Sequence, residues 1–227
     1  MAHAEQKTQG DGGRFVGTTW QDLLDLETVE VPEYLRVKSN PYMGDEDLSV
    51  DRYISPEFFK EEKEKLWPKT WQMACREEDI PESGDHFVYW VIDRSVIVTR
   101  TPAGEIKGFI NSCRHRGRCL RDESGSVDKF RCPFHGATWD LDGQFKGIPN
   151  DWDFEHIADR DMSLPQVKVA TWGGFVFINF DLECQPLEDY LDVLPQHFER
   201  FPLEKYFKAV HVQRVMNCNW KVGAEAF

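Results

Sequence analysis

The sequence predicts a mainly β fold with flanking helices, in which short antiparallel strands occupy the middle of the chain. Three observations support this class. β-rich runs begin at about Phe87 and follow one another at short intervals, as expected of an antiparallel meander. Two connections, Asp142-Gly143 and Gly173-Gly174, are residue pairs typical of hairpin turns. Helical spacing is confined to the stretches before and after these strands.

The N-terminal part is predicted to be helical. Residues 1–13 are rich in Gly, Gln and Thr and predict a tail, and a short helix is expected within Thr19–Arg36. A clearer helix begins after Ser55, because Ser is a favoured N-cap and Pro56 suits the first helical position. Pro68 is expected to end it, since proline cannot donate the next backbone hydrogen bond.

The middle of the chain is predicted to form antiparallel hairpins. Val, Ile and aromatic residues are enriched in a series of short runs, as is typical of strands. The predicted strands are Phe87–Ile92, Ser95–Arg100, Ile106–Asn111, Lys168–Trp172 and Phe175–Phe180, with a further hairpin over Trp139–Phe145.

The pattern changes again after the last of these hairpins. A helix is predicted over Pro186–Phe201, where Leu187, Leu191 and Leu194 recur at helical spacing. Tyr206–Val215 alternates between polar and apolar residues and therefore predicts a strand.

Composition excludes several functional classes. The chain has 227 residues, of which 41% are hydrophobic, with eight Trp and 16 Phe, which is enough to form a core. A net charge of -13 argues against a general nucleic-acid-binding role, because the phosphate backbone attracts basic surfaces. Apolar runs such as Phe87–Ile92 are too short to cross a membrane.

The N-terminus has no apolar stretch of the kind that a secretory signal needs. A cytoplasmic location is therefore expected. In that reducing compartment the six cysteines are expected to be metal ligands or free thiols rather than disulfides.

Two short ligand pairs carry the chemistry. Cys113 and His115 form the first pair, and Cys132 and His135 form the second, with 16 residues between His115 and Cys132. Each pair follows a β-rich run, where a tight loop can direct both side chains towards one point. Two thiolates and two imidazoles suit either a tetrahedral zinc ion or an iron–sulfur cluster, and composition does not decide between them.

The loop sequences resemble one family. CRHRG at 113–117 and CPFHG at 132–136 resemble the two cluster loops of Rieske [2Fe-2S] proteins. The resemblance implies that Cys113 and Cys132 hold one iron and that His115 and His135 hold the other. It also implies a Rieske-type antiparallel β-sandwich.

The flanking residues extend this resemblance. From about residue 50 to NWKVGAEAF at the end, the chain resembles the α subunit of Rieske non-haem iron aromatic-ring-hydroxylating oxygenases. The resemblance implies three parts: an N-terminal tail and helices over 1–68 that pack on the catalytic domain, a Rieske domain over 69–183, and the start of an α+β helix-grip catalytic domain over 184–227. The ligands of a mononuclear Fe(II) are expected after Phe227, so no catalytic residue is expected within this chain.

The implied activity is that of an oxygenase component. A ferredoxin or reductase would reduce the cluster, and a mononuclear Fe(II) would insert oxygen from O2 into an organic, aromatic-type substrate. A homotrimer or an α3β3 assembly is implied, with no nucleic-acid or membrane partner. Two alternatives stay open: a stand-alone Rieske-type electron-transfer protein, and a zinc-stabilised binding domain.

The segment that carries the two ligand pairs is basic, although the chain as a whole is acidic. Residues 113–132 contain six basic and three acidic residues, a balance that favours docking of an acidic electron donor but is equally typical of a solvated loop. Four other histidines have no partner at metal-ligand spacing and are expected to be surface or packing residues: His86, His156, His197 and His211.

Overall fold

The computed structural model describes residues 17–36, 47–157 and 160–226. The tail predicted over residues 1–13 and Phe227 lie outside these ranges. The chain divides into two compact units, Met1–Arg52 and Tyr53–Phe227. Across the described residues, every helix is too short or too polar to span a membrane.

The first helix among the described residues is α1 (Trp20–Leu24), which lies in the first unit. The Thr19 hydroxyl accepts a hydrogen bond from the backbone N–H of Asp22 (3.1 Å), and the Asp22 carboxylate accepts one from the N–H of Thr19 (2.8 Å). This reciprocal capping box explains where the helix begins. A 3-10 helix follows at Glu33–Arg36, so the helix predicted within Thr19–Arg36 is two short helices.

Most of the secondary structure lies beyond α1. The remaining α-helices are α2 (Asp51–Ile54), α3 (Pro56–Glu61), which continues as a π-helix over Glu62–Leu66, α4 (Leu187–Leu191), α5 (Leu194–His197) and α6 (Trp220–Glu225). Short 3-10 helices lie at Glu77–Asp79, Asp151–Asp153, Glu155–Ile157 and Leu203–Lys205. The strands are β1 (Gln72–Arg76), β2 (Asp85–Val91), β3 (Arg94–Arg100), β4 (Ile106–Ile110), β5 (Gly125–Ser126), β6 (Phe130–Arg131), β7 (Thr138–Trp139), β8 (Phe145–Gly147), β9 (Gln166–Trp172) and β10 (Phe175–Asn179).

The strands form two antiparallel sheets. The larger has the order β1-β10-β9-β4-β3-β2-β5, and the smaller has the order β6-β7-β8. The mainly β prediction is confirmed, and so are the β2–β3–β4 meander and the β9–β10 hairpin. The sequence did not predict β1, β5 and β6. Two of these strands have only two residues each, too few for an alternating pattern.

The helix predicted over Pro186–Phe201 is wrong as a single element. It is divided into α4 and α5 at Asp192, whose φ of 49° lies in the left-handed region. Pro195 gives the physical reason. Its ring nitrogen cannot donate to the carbonyl group four residues earlier, so an uninterrupted helix would lose a hydrogen bond there.

The strand predicted over Tyr206–Val215 is also wrong, because this segment contains no strand and is exposed throughout. Its first residues bond to side chains instead of a neighbouring strand. Arg76 donates to the carbonyl oxygen of Tyr206 (2.5 Å), and the Glu78 carboxylate accepts from the N–H of Lys208 (2.7 Å). Alternation alone does not make a strand where no partner edge is available.

The main hydrophobic core lies beneath the two predicted ligand loops. Trp139 is completely buried, and its indole N–H donates to the carbonyl oxygen of Met162 (2.7 Å). Cys113 and Cys132 belong to the same buried cluster as Trp139 and Phe109. The loops are therefore anchored in packed side chains rather than projecting into solvent.

A buried ion pair joins the helices at the two ends of the second unit. Lys221 on α6 donates to the Glu62 carboxylate (2.6 Å), and both side chains are largely buried. The same carboxylate accepts from the indole N–H of Trp220 (3.3 Å). The Lys221 ammonium also lies 5.3 Å from the ring centroid of Phe58, which adds a cation–π attraction. Residues 219–225 are thus fixed on α3 and the π-helix.

Candidate metal centre

The first ligand loop follows β4 and closes on itself. The N–H of Cys113 donates to the carbonyl oxygen of Arg118 (2.8 Å), and the N–H of Gly117 donates to the carbonyl oxygen of Cys113 (2.9 Å). Gly117 has a φ of +74°, which residues with a side chain rarely adopt. The sharp turn leaves Cys113 buried and His115 exposed.

The second loop follows β6 and repeats the same pattern. The N–H of Cys132 donates to the carbonyl oxygen of Ala137 (2.8 Å), and the N–H of Gly136 donates to that of Cys132 (3.0 Å). Gly136 has a φ of +79°, and a Cβ atom there would lie 2.9 Å from Pro149 Cγ. Glycine is therefore required twice over, by conformation and by space.

The two loops bring the four predicted ligands together in pairs. Nδ1 of His115 lies 3.3 Å from Nδ1 of His135. The thiols of Cys113 and Cys132 lie close enough for each to shift the pKa of the other. These cysteines are only 5% and 2% exposed, whereas both histidines are exposed. The site thus has a thiol pair on the inside and an imidazole pair at the surface.

The two thiols are in unequal electrostatic surroundings. Burial raises the pKa of the Cys113 thiol, and the neighbouring Cys132 thiol raises it further. For Cys132 burial acts in the same direction but is outweighed by the backbone N–H groups of Phe134 and His135, so its pKa is lowered. The loop N–H groups thus favour the thiolate of Cys132, which is the form that binds metals.

Phe134 is an exposed aromatic residue beside the imidazole pair. Its side chain is 65% exposed, and its ring centroid lies 4.0 Å from that of His135. The ring therefore covers one face of His135 and reduces the contact of that imidazole with water.

The donor set fits a centre with two metals better than a single ion. In the parts of the chain that the structure describes, no three His, Cys, Asp or Glu residues are grouped so as to hold one metal ion. A structural zinc site needs four protein ligands around one point. A binuclear iron–sulfur centre needs only two protein ligands at each iron, because bridging sulfides complete the coordination. Pairs of thiols and imidazoles meet that requirement.

Comparison with known families identifies this part of the chain. The family model described as "Rieske [2Fe-2S] domain" matches residues 70–158. Residues 70–158 form a Rieske [2Fe-2S] domain. A Rieske domain carries a [2Fe-2S] cluster with two Cys and two His ligands, in agreement with the composition of the site.

The Rieske domain and its flanks are similar to oxygenase subunits. The chain is 30% identical to the biphenyl dioxygenase subunit alpha of Paraburkholderia xenovorans, over 100% of the chain and 50% of that protein. It is 30% identical to the biphenyl 2,3-dioxygenase subunit alpha of Rhodococcus jostii, over 77% of the chain and 39% of that protein.

Solved structures give a similar result. The quaternary ammonium Rieske monooxygenase CntA in complex with L-carnitine superposes with a TM-score of 0.72 at 27% identity, covering 78% of this chain and 51% of that one. The chain therefore spans half or less of the curated relatives described above and about half of this structure.

Among the cysteines and histidines whose side chains the structure describes, only the four predicted ligands take part in the site geometry. All six cysteines are free thiols, and Cys75 is buried whereas Cys218 is exposed. His197 and His211 are exposed, and the side chain of His156 lies outside the described residues. His86 is only 1% exposed, which makes it a packing residue, as predicted.

His86 links the sheet to the first loop. Its Nε2 accepts a hydrogen bond from Arg121 Nε (3.1 Å), and its ring packs edge-on against Phe130. Burial lowers the pKa of His86, and the nearby Arg121 charge lowers it further, against the opposing effects of the Gly84 and Glu123 carbonyls and the Asp85 carboxylate. The neutral imidazole is therefore the form that the fold requires.

This contact predicts a pH dependence of stability. Because the folded-state pKa of His86 lies below that of the unfolded chain, the unfolded state binds more protons between these two values. The contribution of His86 to the free energy of unfolding is fully present above the unfolded-state pKa of about 6.5, and it decreases as the pH falls below that value. The free energy of unfolding, measured with denaturant from pH 7.5 to about 5, should fall less steeply in His86→Gln than in the wild type.

His197→Gln is the matched control, because His197 is an exposed histidine on α5. This variant should keep the wild-type slope. Equal slopes for the wild type and His86→Gln would contradict the assignment of His86 as a buried neutral base.

Proposed function

We propose that Cys113 and Cys132 hold one iron of a [2Fe-2S] cluster and that His115 and His135 hold the other. The observation that carries this proposal is the pairing of the four side chains, with two thiols in one buried cluster inside and two imidazole nitrogens 3.3 Å apart outside. Two equivalent loops with the same backbone hydrogen bonds support the four side chains. When bound, the cluster supplies one-electron transfer.

Two features of the four side chains would suit the site to electron transfer. Burial of Cys113 and Cys132 in the core excludes water from the thiolate side. Exposure of His115 and His135 leaves the imidazole side open to a partner protein, and electron transfer requires a close approach. The site thus combines a protected interior with an accessible edge.

We further propose that the whole protein is the oxygenase component of a Rieske non-haem iron system. In this proposal the Rieske domain receives electrons from a ferredoxin or reductase and passes them to a mononuclear Fe(II) in a helix-grip catalytic domain. The substrate would be a small organic molecule, and the oligomer a homotrimer or an α3β3 assembly. Similarity to oxygenase α subunits that extends beyond residues 70–158 supports this proposal over a stand-alone electron-transfer protein.

Metal and sulfide analysis tests the cluster assignment. The purified protein should contain two irons and two acid-labile sulfides per chain without zinc, and should give a paramagnetic [2Fe–2S] signal on reduction. One zinc per chain without sulfide would support the zinc-stabilised binding domain instead.

Basic residues around the imidazole pair favour an acidic electron donor. Arg114 and Arg116 flank His115, Arg131 directly precedes the second loop, and all three are exposed. Two other arginines are already engaged, since Arg118 pairs with Asp122 (3.0 Å) and Arg121 bonds to His86. Arg116 is therefore the better residue for a test of docking, because reversing its charge leaves both of these contacts intact.

Arg116→Glu should slow reduction of the cluster by a ferredoxin of negative net charge. We expect a roughly tenfold lower second-order rate at low salt and a smaller difference at high salt, because screening weakens steering. Stopped-flow absorbance gives the rate. Arg200→Glu makes the same change of net charge at an exposed residue outside the loops and should have little effect. Equal rates for both variants would exclude this docking surface.

A further inference from the structure

We propose that Asn111 is the positioning residue that holds the first ligand loop closed. Its side-chain amide takes the place of a β ladder that the second loop has and the first loop lacks. The inference deepens the proposed function, on which it rests, because it concerns how the chain fixes Cys113 and His115 relative to the other two ligands.

The second loop is held at its base by regular β structure. β6 and β7 pair on either side of it, with Phe130 opposite Trp139 and Arg131 opposite Thr138. The loop between them is therefore the tip of a hairpin. Its ends cannot separate unless the ladder hydrogen bonds break.

The first loop has no such ladder. β4 ends at Ile110, and the next strand, β5, begins only at Gly125 and pairs with β2. Residues 111–124, all of which the structure describes, contain no strand. The loop's own backbone bonds end at Arg118, so the returning segment at residues 120–121 needs a different link to the segment that enters the loop.

Asn111 supplies that link through both ends of its amide. Its Oδ1 accepts hydrogen bonds from the N–H groups of Leu120 (2.9 Å) and Arg121 (3.0 Å). Its Nδ2 donates to the carbonyl oxygen of Arg121 (2.6 Å) and to Oγ of Ser95 (3.1 Å). These four bonds use the full capacity of the amide. They tie the entering strand, the returning segment and β3 at one point.

The position of Asn111 fits this role. The residue is only 4% exposed, and it lies two residues before Cys113. Burying an amide without hydrogen-bond partners would be costly, so the four hydrogen bonds fix the orientation of the Asn111 side chain. A shift of residues 120–121 would move the carbonyl of Arg118 that closes the loop on the N–H of Cys113. The amide therefore acts on the ligands through the backbone.

Asn179 provides a control for a purely structural effect. It is also an asparagine, it is completely buried, and it lies at the end of β10. Its Oδ1 accepts from the N–H of Asp181 (2.9 Å), and its Nδ2 donates to the carbonyl oxygen of Lys69 (3.4 Å). Truncation at this position removes a comparable buried amide that has no contact with either ligand loop.

The experiment compares Asn111→Ala with Asn179→Ala in the cluster-loaded chain. We measure cluster loss from the visible absorbance after adding an iron chelator, the spectrum of the reduced cluster, and the thermal midpoint. If the two alanine variants have equal decreases in thermal midpoint, Asn111→Ala should still lose its cluster about tenfold faster than Asn179→Ala. The spectrum of its reduced cluster should also differ from that of the wild type. Asn111→Asp keeps both acceptor contacts but replaces the donating nitrogen by a carboxylate oxygen that faces the carbonyl oxygen of Arg121. It should therefore also lose the cluster faster than Asn179→Ala, and it replaces Asn111→Ala in the test if the alanine variant does not fold.

The outcomes are distinct. If Asn111→Asp and any folded Asn111→Ala lose the cluster no faster than Asn179→Ala, the positioning role is wrong and the cluster assignment stands. If the wild-type chain itself contains zinc and no sulfide, the proposed function fails first. A midpoint that falls equally in both alanine variants, with faster loss and a changed spectrum only in Asn111→Ala, supports the inference.

Discussion

Replacing Cys132 by serine is expected to abolish the visible colour and the iron and sulfide content of the protein. A serine hydroxyl is a harder ligand than a thiolate and stays protonated at neutral pH. In the proposed assignment it would therefore be a poor replacement for one of only two protein ligands of that iron. The backbone bonds of the loop involve the N–H and carbonyl groups of residue 132, and serine keeps both. The variant should therefore fold but contain no cluster.

Cys119→Ser is the matched control for this prediction. Cys119 lies just beyond the first loop and is partly exposed, and its thiol donates to the carbonyl oxygen of Arg121 (3.3 Å). Serine can make the same hydrogen bond, so this variant should retain the full iron and sulfide content. Retention of the cluster in Cys132→Ser, or its loss in Cys119→Ser, would overturn the ligand assignment.

The second large effect is expected at the ion pair between Glu62 and Lys221. Lys221→Met leaves the Glu62 carboxylate buried without its cation, which typically costs about 3–5 kcal/mol of unfolding free energy. The double variant Glu62→Leu with Lys221→Met removes both charges and should recover most of this loss. Denaturant unfolding of the wild type, both single variants and the double variant closes a mutant cycle that isolates the coupling between the two residues.

An exposed ion pair nearby gives the comparison. Lys65 and Glu61 are 3.3 Å apart on the adjoining turns, and both side chains are exposed. Because solvent screens such pairs, Lys65→Met should cost only a small part of what Lys221→Met costs. Similar losses for the two lysine variants would mean that the buried pair is not what fixes α6.

The local features of this fold could be predicted from the sequence. The Asp142-Gly143 and Gly173-Gly174 turns determine their hairpins through the backbone conformations that they allow, and both hairpins are present. The candidate ligands were found for the same reason, since each Cys and His pair lies within four residues. Thiols and imidazoles at this spacing predict a metal centre from the sequence alone.

The features that were missed depend on contacts between distant residues. Glu62 and Lys221 are separated by 159 positions, and His86 and Arg121 by 35, so no local pattern relates them. Asn111 carried a weak signal, because it is a polar residue at the end of a β-rich run two residues before a ligand. Its proposed role depends on the absence of a strand from residues 111–124, which no local sequence pattern shows.

The unequal exposure of the two ligand pairs has a consequence for chemical durability. The thiols are nearly inaccessible, whereas the imidazoles lie at the surface, and the Phe134 ring covers one face of His135. In the proposed assignment, small oxidants and chelators dissolved in the surrounding water would meet the histidine-held iron well before they reached the sulfur-held one. Loss of the cluster would then begin at the imidazole side, where a partner protein is proposed to bind. A bound partner would therefore also protect the cluster from oxidants and chelators.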